Sequence, residues 1–364
     1  MLDLMASEIG QALRVAREAA HISLSGMAKR TGISRSHLGN VENGVRKGTP
    51  AVVLAYERAL GCAVQRRGVL SGLAATMVAP IVAGELIRTG FTAALDSHPS
   101  PDEWEQRVIA YGYDYMTLGA GEVQNRLAGD LVVLQQNLQS PRLWSMAARA
   151  LTMLGKVSSK QSEAIAWYRL AGTVADRSGD EATRIWVRGR GALALAYEGA
   201  NLDVAAELAG HALALSDKPS LGRLNALLGQ AHVLGAQGRR RAAYRALEEA
   251  RRVFDQVGSD EQISDFAIPE WRMAVVSSLL LARLGDERHA VEAQETARRK
   301  LPDELPRFAT HLELHRGLML VRSGDRTGGL SYARAAMANL PREKHSQSLR
   351  LMLAEIERPA QFRH

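Results

Sequence analysis

Residues Ser23–Gly44 read SLSGMAKRTGISRSHLGNVENG, and the fold of the first part of the chain turns on this stretch. Helical periodicity divides it into two short helices around a tight turn. Ser23 stands where the first helix needs an N-cap, and Ser34 where the second does. A serine hydroxyl there accepts from a backbone N–H that has no partner within the helix. Gly32 lies between them, where the chain must turn sharply. Met27, Ala28, Ile33, Leu38 and Val41 are spaced to pack together, and the small Ala28 lets the two helices cross closely. At about 100° per residue, the second helix turns Ser36, Asn40 and Asn43 away from Leu38 and Val41. Arg35 and His37 lie on the flanks of that outer face.

Arg, Ser, Asn and His side chains reach base edges and phosphates in a major groove. A second helix that presents them is the pattern of a DNA-binding helix-turn-helix, which reads bases with the N-terminal residues of that helix. The outer face makes Arg35, Ser36, His37 and Asn40 the expected base readers, and Asn43, Arg46 and Lys47 the expected phosphate contacts. Ser7–Gly61 resembles the phage-repressor/Cro (Xre) helix-turn-helix family, a compact five-helix domain. VENG at Val41–Gly44 matches the end of that family's recognition helix, and TPAVVLAYERALG at Thr49–Gly61 its fourth helix and glycine stop. The resemblance implies a structural ion pair between Arg17, in the first helix, and Glu42. One position departs. The residue after Ser23, often a Gln that buttresses the recognition helix and a phosphate, is Leu24. On the residues alone, the alternative is a helical hairpin with no DNA role.

The chain has 364 residues, enough for two or three domains. It is 46% hydrophobic and 23% charged, as a soluble globular protein is. Its net charge is +7, and residues 1–67 hold ten Lys/Arg against five Asp/Glu, an excess of +5. A local basic excess is the electrostatic footprint of a polyanionic partner. The single cysteine, Cys62, excludes an internal disulfide and a multi-cysteine zinc site, and fits a reducing cytoplasm.

No charge falls between Arg67 and Glu85. That run could suggest a signal or a membrane span, but it follows a DNA-binding pattern, is rich in small residues and is broken by Pro80. A buried helical connector is the better reading. His98-Pro99-Ser100-Pro101 marks the clearest boundary, with Asp102 expected to cap the next helix, which runs to about Gly119. Trp104, Tyr111, Tyr113 and Tyr115 cluster on that helix, either as core or as the lining of a pocket. The expected organisation is therefore a helix-turn-helix domain over 1–62, an apolar connector over 63–98 and a repeat domain over 99–364.

From about Gly121 the chain reads as consecutive helix pairs. AHVLGAQGRRRAAYRALEEARRV, LLLARLGDERHAVEAQETARRKL and LMLVRSGDRTGGLSYARAAMANL each run from an apolar helix through a glycine turn into a second helix. Gly199, Gly238, Gly285 and Gly324 mark the turns, at spacings of 39, 47 and 39. Ala250, Ala297 and Ala336 each follow their glycine by twelve residues. The units resemble degenerate tetratricopeptide repeats, whose ideal period is about 34. Such a stack buries a continuous core and leaves a concave face. The fold class is thus all-α.

Catalytic motifs are lacking. Gly155-Lys156 is followed by Val157, so no P-loop forms. Gly189 and Gly191 lie within a helical pattern with no preceding strand, so no dinucleotide site is implied. His311 and His315 share a helix face, but no third metal ligand is evident. Arg239-Arg240-Arg241 sits in a repeat turn and reads as solvated, with a second nucleic-acid patch as the alternative. Neither catalysis, cofactor nor metal is expected. An Xre-type domain followed by such repeats resembles the RRNPP receptors of Gram-positive bacteria, whose repeats bind a signalling peptide and hold a dimer together. That resemblance implies a cytoplasmic, homodimeric transcription regulator that binds a double-stranded operator and a peptide or other small ligand, with no membrane partner. The alternative is an adaptor whose repeats dock another protein. Polar residues in otherwise apolar first helices are the candidate ligand contacts: Arg188, Arg190, Asn225, Gln230, His311 and His315.

Overall fold

The structure is a computed structural model that describes residues 22–46 and 99–358, together with positions 13, 14, 17, 18, 52, 55, 56 and 59. Lys47, Cys62 and the apolar connector lie outside the described residues. The chain divides into two units, residues 1–96 and 97–364. Both are all-α, and no strand occurs among the described residues.

The first unit holds α1 (Leu24–Thr31) and α2 (Arg35–Glu42). The Ser23 hydroxyl accepts from the Gly26 N–H, and the Ser34 hydroxyl from the His37 N–H. Gly32 turns between them in the left-handed region, at φ 70°. Met27, Leu38 and Val41 are fully buried with Leu13, Val52 and Tyr56, while Ile22, Leu24, Ala28, Ile33 and Ala59 border this core. Leu24 packs on Gly39, where an added Cβ would stand 3.3 Å from its Cδ2. Leu24 thus meets α2 by apolar contact.

The second unit begins with α3 (Pro101–Thr117), capped by Ser100 and not by Asp102. Proline is tolerated at the first helical position because its missing N–H would have had no partner there. The Ser100 hydroxyl accepts from the Glu103 N–H while the Glu103 carboxylate accepts from the Ser100 N–H, a closed capping box. After α4 (Ala120–Leu134) come helix pairs: α5 (Pro141–Val157) with α6 (Gln161–Ser178), then α7 (Glu181–Glu198) with α8 (Leu202–Leu215). They continue as α9 (Leu221–Ala236) with α10 (Arg240–Val257), α11 (Glu270–Leu284) with α12 (Glu287–Lys300), and α13 (Pro306–Arg322) with α14 (Arg326–Asn339). The last helix is α15 (Gln347–Glu357).

The two members of a pair differ in how they are buried. First helices are buried nearly all round, as α11 is through Trp271–Ala282. Second helices bury one stripe, as α10 does with Ala243, Ala246, Leu247, Ala250 and Val253, and face water with arginines. The turn glycines Gly199, Gly238, Gly285 and Gly324 all have positive φ. Ala250 and Ala297 are buried as their spacing implies. In the last unit it is Ala333, not Ala336, that is fully buried, because α14 meets α13 through Ala333 and Gly317. Gly189 and Gly222 let α7 and α9 touch backbone to backbone. A Cβ on Gly189 would lie 2.1 Å from the Gly222 carbonyl oxygen.

Two features close the inner side of the array. α15 packs on α13 and also on α7, and the Arg283 guanidinium of α11 donates to Glu355 of α15 at 2.8 Å. The long spacing between Gly238 and Gly285 is taken up by the loop 258–269, pinned at its neck by Ser259 and Ile268. This loop turns inward. The Asp265 N–H donates to the Gly112 carbonyl of α3 at 2.9 Å, and Phe266 stacks on Trp186 of α7. Gly112 leaves room for it, since a Cβ there would meet Phe266 and Ser264 at 2.6 Å.

Candidate nucleic-acid interface and inner chamber

In the first unit, the outer face of α2 carries Arg35 and Ser36 exposed and His37 and Asn40 half-buried. Asn43 and Arg46 follow, both exposed. The Arg46 N–H donates to the Asn40 carbonyl at 2.9 Å, which folds the segment after α2 back on the helix. The Arg46 guanidinium comes within 3.5 Å of His37 Nδ1. Of the seven expected DNA contacts, Arg35 and Ser36 open α2, His37 and Asn40 follow on it, Asn43 is its C-cap, and Arg46 folds back beside His37 and Asn40; Lys47 lies outside the described residues.

Behind that face, a buried network fixes α2. Arg17 Nε and Nη2 donate to the two carboxylate oxygens of Glu42, each at 2.7 Å. The Tyr56 hydroxyl donates to the same carboxylate at 2.6 Å, and Arg17 Nη1 donates to the Ile22 carbonyl at 2.9 Å. Arg17 and Glu42 are 8% and 5% exposed, so this bidentate pair is largely withdrawn from water. Burial, and then Glu42, push the Tyr56 hydroxyl up, so it stays protonated and keeps donating.

In the second unit, α5, α7 and α11 each bring a basic side chain to Asp265. Its side chain is fully buried. Arg190 of α7 donates through Nε at 3.1 Å and Nη2 at 2.8 Å, and Arg272 of α11 donates through Nη2 at 2.7 Å. Lys156 of α5 also donates to it. Arg272 Nη1 reaches the carbonyls of Ser264, Asp265 and Ala267, so it shapes the loop that delivers the aspartate. Lys156 Nζ stands 3.5 Å above the Tyr115 ring, with Arg307 at 4.7 Å from the same ring. The three cations hold Asp265 far below the usual carboxylate range against the cost of its burial. Burial, and then Arg190, push Lys156 well down.

A chamber opens beside this cluster. Its polar wall includes Lys156, Tyr168, Arg190, Glu198, Arg272 and His311, and Ser346–Ser348 at the start of α15 border it. Its apolar wall includes Leu193, Val275, Val276 and Phe308. Burial raises Glu198 to about 7, against the opposing pull of Gln161, Arg190 and Lys156.

Of the six expected ligand contacts, the chamber brings together only Arg190 and His311. Arg188 pairs with Asp176 at 2.6 Å. Asn225 is buried and its amide nitrogen donates to the Leu221 carbonyl one turn back in α9. Gln230 is half-buried on α9 and does not border the chamber. His315 is fully buried, bound to Ser278 and to the Tyr197 hydroxyl, which also meets His311. Glu313 turns the other way, to Arg298 and Tyr332. Among the described residues, no group of three or more His, Cys, Asp or Glu is placed to hold a metal ion. Of the four aromatics on α3, Trp104 and Tyr111 are core, Tyr113 is exposed and only Tyr115 faces the cluster. Arg239–Arg241 are exposed, and Arg240 donates to the Leu284 carbonyl at the end of α11.

Sequence reasoning missed Asp265, Lys156, Arg272, Tyr168 and Glu198. The one signal for them was the long turn spacing of 47, which marks the inserted loop. No helix among the described residues is long and apolar enough to cross a membrane. No curated protein and no solved structure matches the chain. Residues 8–70, and with them α1 and α2, match the family model of a helix-turn-helix domain.

Proposed function

We propose that this chain is a sequence-specific transcription regulator of the Xre type. Its first unit reads a double-stranded operator. Its degenerate tetratricopeptide-like array senses a peptide or other small ligand and holds a homodimer in the cytoplasm, in the manner of the RRNPP receptors it resembles. The observation that carries the reading is α2 itself, which carries Arg35 and Ser36 exposed and His37 and Asn40 half-buried and is tied by Glu42 to Arg17 and Tyr56. Base recognition needs side chains positioned to a fraction of an ångström, and a buried bidentate pair behind the helix supplies that positioning. Asn43, Arg46 and Lys47 hold the backbone phosphates and set the register. The basic excess of residues 1–67 adds sequence-independent attraction.

Selection of random duplex DNA by the full-length protein, followed by nuclease footprinting, tests this reading. It expects one enriched sequence, with two related half-sites if the protein binds as a dimer. Selection that enriches no sequence would favour the adaptor reading.

A further inference from the structure

The charges around Asp265 do not balance. Two guanidinium groups, Arg190 and Arg272, and the amine of Lys156, which burial pushes well down, meet one carboxylate, and their side chains are 7%, 6% and 2% exposed. Burying a cation without a partner is costly, so a surplus of this kind persists where something pairs with it. The unused donors border the chamber. Arg190 spends Nε and Nη2 on Asp265, and its Nη1 has no hydrogen-bond partner among the described residues. The Tyr168 side chain is buried, lines the chamber and makes no hydrogen bond to any described residue. The first turn of α15 borders the same space, adding the positive end of a helix dipole. Across from these donors lies the apolar wall of Leu193, Val276 and Phe308.

The size of the chamber limits its occupant. It holds about 80 Å³ for the centres of water-sized groups. At roughly 10–15 Å³ for each water, the enclosed part has room for a compact group of under about ten non-hydrogen atoms. One negative end and one apolar body would match the two walls.

We propose that this chamber binds a small organic acid, its carboxylate on Arg190, Lys156 and Tyr168 and its apolar body against Leu193, Val276 and Phe308. The proposal deepens the sensor reading of the array by naming the ligand chemistry. Glu198, on the same wall, competes with the bound carboxylate when it is ionised.

The test is calorimetric titration and thermal melting of the full chain, without DNA, so that its outcome is independent of operator recognition. The probes are benzoate, its uncharged isostere benzamide, sulfate at matched ionic strength, and a tripeptide with a free or amidated C-terminus. Benzoate at millimolar concentration should bind and raise the melting temperature, while benzamide and sulfate should not. Arg190→Gln should weaken benzoate by about tenfold or more, the loss expected for a charge-assisted hydrogen bond. Tyr168→Phe keeps the ring and its packing, and should weaken benzoate severalfold even if Arg190→Gln fails to fold. Glu198→Gln should tighten it. Equal shifts from benzoate and benzamide, no benzoate binding at millimolar concentration, or unchanged affinity in both Tyr168→Phe and Glu198→Gln would overturn the proposal. A free-terminus tripeptide that binds more tightly than benzoate, while its amide does not, would also overturn it and assign the carboxylate to a peptide end.

Discussion

Arg17 with Glu42 in the first unit and Asp265 with its three cations in the second are both buried ion clusters, but only the first is balanced. Around Glu42, one guanidinium and one phenol satisfy one carboxylate, and the remaining guanidinium nitrogen finds a carbonyl. This pair ties α2 to Arg17 and Tyr56. Around Asp265 the cations outnumber the anion, and a chamber lies against them. The lesson is that burial of charge alone does not mark a binding site. The sign and size of the imbalance do, together with space next to it.

The largest effect should come from breaking the unbalanced cluster. Asp265→Ala leaves three buried cations without their shared partner and frees the loop 258–269 from the inner face. It should lower the stability of the second unit by about 3–5 kcal/mol or more, read by denaturant unfolding. Asp265→Asn, which keeps the shape and one acceptor oxygen, should cost less.

Glu42→Ala breaks the balanced pair and should cost the first unit about 2–3 kcal/mol. The loss is smaller because Arg17 retains Glu18 and the Ile22 carbonyl as partners. Calorimetry of the full chain should show the early transition moving while that of the array stays in place. An array transition that moves equally would show the two units to be one cooperative body.

Gly222→Ala tests the scaffold that brings Arg190 to the chamber. The added Cβ would lie 2.6 Å from the Trp186 backbone nitrogen, so α7 and α9 must separate. An overpacking loss of about 1–3 kcal/mol is expected in the array transition.

Acid sharpens the comparison further, because the inner face of the array is where burial shifts protons. His232 and His311 are pushed down by burial to about 3 from an ordinary 6.5, with the nearby Arg283 and Arg307 charges adding to the effect. Burial also lowers His315. Below about pH 6.5 the unfolded chain binds protons that the fold excludes, so stability falls as pH drops toward 3. Glu198 runs the other way. Raised to about 7, it holds a proton that the unfolded chain releases above 4.5, so its contribution is full below 4.5 and lost as pH rises through 7. Three histidines outweigh one glutamate, so the array should weaken on acidification. Glu198→Gln removes the opposing contribution and should steepen that fall in melting temperature between pH 6.5 and 4.5.

The hairpin of α1 and α2 was legible because its signals are local. Ser23, Gly32 and Ser34 act within three or four residues of themselves, and the apolar spacing of Met27, Leu38 and Val41 is a helix period. The turn glycines of the array were legible for the same reason. The chamber was not. Asp265 meets Lys156 and Arg190 across 109 and 75 positions of sequence, which no spacing reveals. Nor does a polar residue in an apolar helix announce what satisfies it. Asn225 turned out to donate to its own helix, Arg188 to Asp176, and His315 to be enclosed by Ser278 and Tyr197. The lengthened repeat was visible, but its inward course depends on Gly112, more than a hundred residues upstream.

Operator affinity of the full chain and of Arg35→Ala, measured by fluorescence anisotropy at one fixed salt concentration on the selected site and on unrelated duplex, tests the central claim most directly. Arg35→Ala should lose about 1–3 kcal/mol on the selected site and little on unrelated DNA, because a base contact carries specificity and a phosphate contact does not. Equal affinity of the two proteins for the selected site, or equal losses on both duplexes, would contradict it.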